Sequence, residues 1–289
     1  MTDYAYHLLD VFTETKLAGN QLAVVPEAAG LDERRMQAVA REFNLSETVF
    51  LSPPTRPEAL FTVRIFTPGS EMEFAGHPTI GTTVLLAHLG HLPTSGGKGS
   101  AILDLPAGPV PVTIANGFAS LQAPKPPVIL GTFNADAMAS AVGLAPEQVE
   151  GGLRLATAGN PFAFLQVGSQ AELDALVPDH AAIIRYTPSP ATGLTVFAKV
   201  DANEYAVRMF APQDRIFEDP ATGSSAAAMA ALLLEDDPSC DGRTILIRQG
   251  VKMGRPSEIL LTPSRQEDGT PVARVAGKAV IVAEGRLFL

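Results

Sequence analysis

Three short segments of this chain recur in the same order about half a chain length later. The recurring pairs are Ala18-Gly19-Asn20 with Ala158-Gly159-Asn160, Thr48-Val49-Phe50 with Thr195-Val196-Phe197, and Arg64-Ile65-Phe66-Thr67-Pro68 with Arg208-Met209-Phe210-Ala211-Pro212. Their displacements, 158 − 18 = 140, 195 − 48 = 147 and 208 − 64 = 144, cluster near half of the 289 residues. Any one match alone is compatible with chance, but the collinear set predicts two structurally similar lobes with a cleft between them.

The composition limits the partners that such lobes can take. Lysine and arginine number 21 and aspartate and glutamate 31, so the formal net charge is 21 − 31 = −10. This charge disfavours nucleic acid and anionic membranes, so a bound anion must meet local hydrogen-bond donors. The single cysteine, Cys240, permits no internal disulfide and no multi-cysteine zinc site, and it predicts a cytoplasmic location.

Neither a leader peptide nor a membrane helix is predicted. Residues 1–10 contain no lysine or arginine ahead of an apolar run and are predicted to form an edge strand. The longest uncharged stretch, 105–124, contains four prolines and two glycines, unlike a membrane helix. With 25 glycines and 24 prolines among short β-rich runs, the chain is predicted to be a strand-rich α+β protein.

Periodicity and end signals place the elements. The predicted helices are 32–43 with Asp32 as N-cap, 77–89 with Pro78 in its first turn and Gly90 beyond its end, a helix capped by Ser169 and Glu172 and ended by Pro178, and 224–234. The predicted strands include 8–12, 21–25, 61–66, an extended pair in 102–114, 162–167, 195–200, 204–210 and others in 245–289. A Pro-Lys-Pro-Pro run at 124–127 divides an N-terminal lobe, 1–125, from a C-terminal lobe, 126–289.

Two junctions from strand to helix, 74–83 and 218–225, are rich in glycine, serine and threonine. Small residues at a helix start let unpaired backbone N–H groups approach a ligand, and the helix dipole favours a negative group there. Two such starts facing one cleft could hold a carboxylate. The alternative is that these residues serve only tight turns and helix caps.

Three titratable residues are candidates for proton chemistry. Glu47 lies in an apolar extended run, where burial would raise its pKa and suit it to act as a general acid and base; alternatively it lies on the solvent face of an edge strand. His77 and Asp219 occupy the two junctions, each directly before a proline. They could pair or contact a substrate from opposite sides, or they could be helix N-caps.

Other motifs give weaker indications of function. His88 and His91 have the spacing of a helical metal pair but lack a third ligand nearby, so no metal is predicted. The run Gly96-Gly97-Lys98-Gly99-Ser100 lacks the first glycine of a phosphate loop and is predicted to be a mobile hairpin loop. No dinucleotide fingerprint, nucleophile elbow or zincin motif occurs.

The junctions and the Glu47 segment together resemble the phenazine-biosynthesis PhzF-like isomerase/epimerase family. The segments that carry the resemblance run nearly the whole chain: Asp10-Val11-Phe12-Thr13, Gly19-Asn20, Ser46-Glu47-Thr48-Val49-Phe50, Arg64-Ile65-Phe66-Thr67-Pro68, Phe74-Ala75-Gly76-His77-Pro78-Thr79, Glu218-Asp219-Pro220-Ala221-Thr222-Gly223-Ser224 and Gln249-Gly250. The family is related to the diaminopimelate epimerases. The resemblance therefore implies an α+β fold of two pseudo-symmetric lobes, each a barrel-like, mostly antiparallel sheet around a central helix.

The resemblance also implies roles for the junction residues. Glu47 would be the acid and base that moves a substrate proton, with His77 and Asp219 contacting or relaying, and Ser224 with the Gly76 and Gly223 backbones would bind a carboxylate. No cofactor or metal is implied, and a homodimer is expected. The two catalytic thiols of diaminopimelate epimerases have no equivalent in either junction. The last strand, 278–289, can return to the N-terminal lobe.

These inferences predict a cofactor-independent isomerase that moves a proton on a small carboxylate-bearing metabolite by glutamate acid/base catalysis. Two alternatives stay open. One is an epimerase or racemase that inverts a centre next to a carboxylate, and the other is a non-catalytic module that binds a carboxylate.

Overall fold

The computed structural model describes residues 3–289, so Met1 and Thr2 of the predicted N-terminal strand and lobe lie outside the described residues. The chain folds into two compact units. Unit one comprises Met1–Gln122 with Ala276–Leu289, and unit two comprises Ala123–Val275.

The first segment of unit one contains eight strands and two helices, and its second segment contributes one more strand. The elements are β1 (Asp3–Val11), β2 (Asn20–Val25), α1 (Glu33–Phe43), β3 (Glu47–Ser52), β4 (Phe61–Phe66), β5 (Glu71–Met72), α2 (Gly76–His88), β6 (Lys98–Leu105), β7 (Gly108–Ala115), β8 (Phe118–Gln122) and, at the end of the chain, β18 (Ala279–Phe288).

Unit two contains the remaining strands and four helices, together with short 3₁₀ turns. The elements are β9 (Val128–Phe133), α3 (Asp136–Ala141), β10 (Val149–Thr157), β11 (Pro161–Val167), α4 (Gln170–Asp174), α5 (His180–Tyr186), β12 (Leu194–Asp201), β13 (Glu204–Ala211), β14 (Ile216–Asp219), α6 (Gly223–Asp236), β15 (Ile245–Gln249), β16 (Ser257–Arg265) and β17 (Pro271–Gly277).

The two units use the same succession of strand pairings. In unit one β2 is parallel to β3, β3 is antiparallel to β4, β4 is parallel to β6, and β6 is antiparallel to β7. In unit two β11 is parallel to β12, β12 is antiparallel to β13, β13 is parallel to β15, and β15 is antiparallel to β16. The predicted repetition is therefore a repetition of structure, and the α+β class with mostly antiparallel pairing is confirmed.

An arginine-carboxylate pair is repeated with this pattern. Arg64 on β4 donates to both carboxylate oxygens of Glu71, and its guanidinium lies 5.1 Å from the Phe66 ring centroid. Arg208 on β13 donates to both oxygens of Glu218 and lies 5.3 Å from the Phe210 ring. The repeated Arg-x-Phe segments thus place the same bidentate, stacked ion pair in each unit.

Each unit has one helix that is buried on almost all sides. Helix α2 packs on β1, β2, β3, β7, β8 and β18, and α6 packs on β9, β10, β11 and β16. A helix whose whole circumference is apolar or small must be surrounded. At Gly81 of α2 a Cβ would lie 2.6 Å from the Leu22 side chain and 2.7 Å from the Val11 side chain, so glycine lets these side chains pack directly against the helix.

The structure corrects three local predictions. β1 is paired on both sides, with β18 and with β2, so the N-terminal segment is not an edge strand; its second partner is supplied by the other end of the chain. Lys98, Gly99 and Ser100 begin strand β6 and are not part of a mobile loop. A Cβ on Gly99 would lie 2.5 Å from Leu92 and 2.6 Å from the Pro93 carbonyl, so this glycine serves packing.

The third correction concerns α4. Asp32 and Ser169 cap their helices as predicted. The helix that Ser169 caps ends at Asp174, however, before Pro178. The guanidinium of Arg208 donates to the carbonyl oxygens of Leu173 and Leu176 at this end of the helix.

Candidate active site

Glu47 and His77 meet within unit one. Glu47 is the first residue of β3 and is 9% exposed, and His77 is the second residue of α2 and is 5% exposed. The Glu47 Oε2 atom lies 3.4 Å from the His77 Nδ1 atom. β3 has β2 on one side and β4 on the other, so the alternative of Glu47 on the solvent face of an edge strand is wrong.

The imidazole in this pair is neutral at physiological pH. Burial lowers the pKa of His77 to about 3, against the smaller opposing effect of a hydrogen bond with the backbone of Gln21. The contact is therefore one between a carboxyl group and a neutral ring, and not a true ion pair. Within residues 3–289, the buried Nε2 atom of His77 has no hydrogen-bond partner.

The two central helices begin without a side-chain cap. Ala75 precedes α2 and Thr222 precedes α6, and neither side chain accepts a hydrogen bond from the first turn. By contrast α1, α4 and α5 are each closed by an aspartate or serine, namely Asp32, Ser169 and Asp179. His77 and Asp219 are thus not N-caps, and the starts at Gly76 and Gly223 keep the dipole and N–H groups that attract an anion.

Asp219 is held in a buried network of unit two. It ends β14, is 7% exposed, and accepts a 2.5 Å hydrogen bond at Oδ2 from the Thr222 hydroxyl. The Gln249 Nε2 atom donates to the Asp219 carbonyl at 2.8 Å and to Thr222 Oγ1 at 2.9 Å, and Thr222 N donates to Gln249 Oε1 at 3.2 Å. Ser224, the second residue of α6, is partly buried.

The predicted site residues therefore fall into two groups. Unit one brings Glu47, His77 and Gly76 together, and unit two holds Asp219, Gly223 and Ser224 around the start of α6. The predicted approach of His77 to Asp219 stays a prediction.

Sequence reasoning assigned no role to Thr222 and Gln249, which the structure places beside Asp219. The available signal was the Gln249-Gly250 pair. Gly250 has φ +74°, and a Cβ there would lie 2.6 Å from the Pro220 carbonyl and 2.4 Å from the Arg255 carbonyl. The glycine thus lets the end of β15 approach the loop that leads into α6.

Among residues 3–289, no group of three or more histidine, cysteine, aspartate or glutamate side chains could hold a metal ion. In the same part of the chain, none of the helices combines the length and the apolar character that crossing a membrane requires.

Comparison with known proteins gives the chain its class. The family described as "Phenazine biosynthesis-like protein" matches residues 9–285. An uncharacterized isomerase of Mesorhizobium japonicum is 40% identical over 98% of both chains. The trans-2,3-dihydro-3-hydroxyanthranilate isomerase of Pseudomonas aeruginosa is 32% identical over 99% of this chain and 100% of that protein.

Solved structures agree with this assignment. A PhzF-family phenazine biosynthesis protein of Bacillus anthracis matches all of both chains with a TM-score of 0.90 at 23% identity, which supports the fold. A predicted epimerase of Pseudomonas aeruginosa matches 99% of both chains with a TM-score of 0.82 at 31% identity.

The fold and these relatives define a small-molecule isomerase or epimerase, which confirms the predicted enzyme class. The chain belongs to the phenazine biosynthesis-like protein family, as the motifs predicted.

Proposed function

We propose that this protein is a cofactor-independent isomerase in which Glu47 moves a proton on the carbon skeleton of a small carboxylate-bearing metabolite. The observation that carries the proposal is the buried contact between Glu47 and the neutral ring of His77. A neutral partner does not stabilise a carboxylate as an imidazolium would. Glu47 can therefore both accept a proton from carbon and return it at another position.

His77 supports this role as a neutral hydrogen-bonding group. A buried imidazole that stays neutral does not draw the proton away from Glu47, and it can polarise a substrate group without carrying charge. Its low pKa fits that function. We assign Asp219 to substrate contact or proton relay.

The substrate carboxylate is assigned to the backbones of Gly76 and Gly223 and the Ser224 hydroxyl. Support comes from the starts of α2 and α6, which no N-cap side chain closes. Backbone N–H groups at a helix start bind anions without a basic field, which suits a chain with a net charge of −10. The same donors would stabilise enolate charge that develops beside the carboxylate.

Isomerisation of a dihydro-hydroxyanthranilate-like acid is the leading reaction, because a relative at 32% identity bears that isomerase name. Inversion of a centre next to a carboxylate is the second candidate, favoured by the solved relative described as a predicted epimerase at 31% identity. Both need proton transfer at carbon. Deuterium incorporation with inversion would indicate the second, and a moved double bond the first.

The test is proton exchange in heavy water, followed by NMR, with trans-2,3-dihydro-3-hydroxyanthranilate and a panel of amino acids. We expect the wild type to incorporate deuterium and Glu47→Gln to lose this activity. Glu42→Gln, an exposed glutamate on α1, is the matched control and should behave as wild type. Full activity of Glu47→Gln would overturn the proposal.

We further propose a homodimer in the cytoplasm, from the family resemblance and the single cysteine. Light scattering at several protein concentrations would test the dimer, and fractionation of cells of the source organism would test the location.

A further inference from the structure

The side-chain amide of Gln249 can point only one way. Its Nε2 atom faces the Asp219 carbonyl and Thr222 Oγ1, and its Oε1 atom faces the Thr222 N–H group. A reversed amide would set oxygen against the carbonyl and NH₂ against the N–H donor. Because Gln249 is 1% exposed, water cannot compensate for such a mismatch.

The fixed amide gives the Thr222 hydroxyl a direction. An amide nitrogen is only a donor, so Thr222 Oγ1 accepts from Gln249. The single hydroxyl hydrogen is then left for the Asp219 Oδ2 atom, 2.5 Å away. The bonds run in series from Gln249 to Thr222 to Asp219 and end on an oxygen that must accept. A carboxyl group that receives such a bond is favoured in its ionised form.

The repeat shows that the fold does not need this network. Gly76 and Gly223 are the first residues of α2 and α6, so counting back one and four residues matches Thr222 with Ala75 and Asp219 with Met72. Gln249 lies opposite Val207, which the repeat matches with Val63, and extending the β4–β6 register by one residue from Thr62 and Asp104 sets Leu105 opposite Val63. Unit one therefore builds the same helix start with three apolar residues.

We propose that Thr222 and Gln249 are positioning residues that hold the Asp219 carboxylate ionised and fixed, so that it meets the substrate as a hydrogen-bond acceptor. The inference rests on the proposed function only in assigning Asp219 to the substrate site. The backbone on both sides is already anchored, by the Arg208–Glu218 pair before Asp219 and by Gly250 after Gln249. The hydrogen bonds from Gln249 through Thr222 therefore fix the position of the Asp219 carboxylate, and the loop backbone does not depend on them.

The test separates this inference from the activity. The carboxyl ¹³C signal of Asp219, identified by its loss in Asp219→Asn, is titrated in the wild type, Thr222→Val and Thr222→Ser. Valine keeps the shape of threonine and removes the hydroxyl, whereas serine keeps the hydroxyl. Charged groups on the neighbouring elements are unchanged in all three proteins: Arg208, Glu218, Arg248, Glu204, Glu258 and Arg255.

We expect the Asp219 midpoint to move to higher pH by about 1 to 2 units in Thr222→Val, the equivalent of one hydrogen bond to a charged group, and to stay near the wild-type value in Thr222→Ser. Gln249→Met should act in the same direction as Thr222→Val, because the threonine hydrogen is then free to turn away. Identical midpoints in the wild type and Thr222→Val would overturn the inference.

A second readout uses turnover of the NMR probe. Thr222→Val should lower kcat about 10- to 100-fold with little change in KM, and Thr222→Ser should restore it. If Glu47→Gln or Asp219→Asn leaves turnover intact, the proposed function is wrong. The Asp219 titration in the wild type and Thr222→Val still tests the inference in that case. If both abolish turnover and Thr222→Val does not lower kcat, the inference fails alone.

Discussion

Unit one and unit two share a scaffold and differ in chemistry. Both carry the stacked arginine-glutamate pair, Arg64 with Glu71 and Arg208 with Glu218, at the same place in the same strand succession. The first residue of β3 is Glu47, whereas the first residue of β12 is Leu194, which is fully buried. The repeated ion pair serves folding, whereas Glu47, which has an apolar counterpart in unit two, belongs to the candidate site.

The helix starts show the same division. Position two of the central helix is His77 in unit one and Ser224 in unit two. The residue four places before the helix is Met72 in unit one and Asp219 in unit two. A proton-transfer site needs one strong acid/base and groups of different character around it, which two identical halves could not supply. The comparison can be tested by exchanging residues between the units.

The largest expected effect is on activity, from Glu47→Leu, which gives unit one the residue of unit two. Loss of a general acid/base should lower turnover by about 10²- to 10⁴-fold, measured by deuterium exchange. Folding should be retained, since leucine is accepted at the equivalent position, and circular dichroism checks this. Unchanged turnover would show that Glu47, the residue by which the start of β3 differs from that of β12, takes no part in catalysis.

Next in size is the loss of the shared ion pairs. Arg208→Met should lower the free energy of unfolding by about 3 kcal/mol, because it leaves the partly buried Glu218 carboxylate without its partner. The side chains of Arg208 and Glu218 are 10% and 17% exposed, against 26% and 27% for Arg64 and Glu71. Arg64→Met should therefore cost less, and urea unfolding of both variants makes the comparison. Equal losses would contradict it.

The third prediction is a pH dependence specific to unit one. Unfolded His77 binds a proton below pH 6.5, and folded His77 only below about 3, so between these values the unfolded state holds more protons. The free energy of unfolding should thus fall as the pH falls through this range, by up to about 1.4 kcal/mol per pH unit.

His77→Ser, which gives unit one the residue of unit two, should make this slope shallower in urea unfolding measured from pH 7 to pH 4. His91→Ser removes an exposed histidine as the control and should leave the slope unchanged. The same slope in both variants and the wild type would refute a buried neutral imidazole.

The smallest effect concerns two equivalent threonines. The Thr195 hydroxyl bonds the Ser225 hydroxyl at 2.6 Å, whereas Thr48 Oγ1 is buried and has no partner within residues 3–289, because Pro78 occupies the place of Ser225. Thr195→Val should lower the free energy of unfolding by about 1 kcal/mol, and Thr48→Val should be neutral or stabilising. Thermal unfolding of the two variants measures the difference. Equal losses of stability in Thr195→Val and Thr48→Val would contradict the prediction that only the Thr195 hydroxyl stabilises the fold.

Local signals predicted most of the elements, and distant contacts account for the errors. Asp32 and Ser169 cap helices through residues three positions away, so the sequence shows the whole interaction. The backbone at the end of α4 is bonded by Arg208, more than 30 residues later, and no local pattern reveals this contact. The second partner of β1 comes from the opposite end of the chain.

The candidate site shows the same limit. Glu47 and His77 could be selected because an acid in an apolar run and a histidine at a helix start are unusual locally. Their contact depends on how β3 lies against α2, which the repeat alone does not give. Gln249 is about 30 residues from Asp219 in the sequence. Its amide reaches Asp219 only because β15 pairs with β13 in the folded chain.

The pairing of β1 with β18 makes unit two an insertion within unit one. Asp3 lies opposite Phe288, so this ladder closes a loop of nearly the whole chain, the costliest kind of contact to form by diffusion. During synthesis, residues 123–275 are made before residues 279–288, so β1 lacks the partner strand on one of its edges until unit two is complete. β1 is therefore paired on both sides only after β18 has been made.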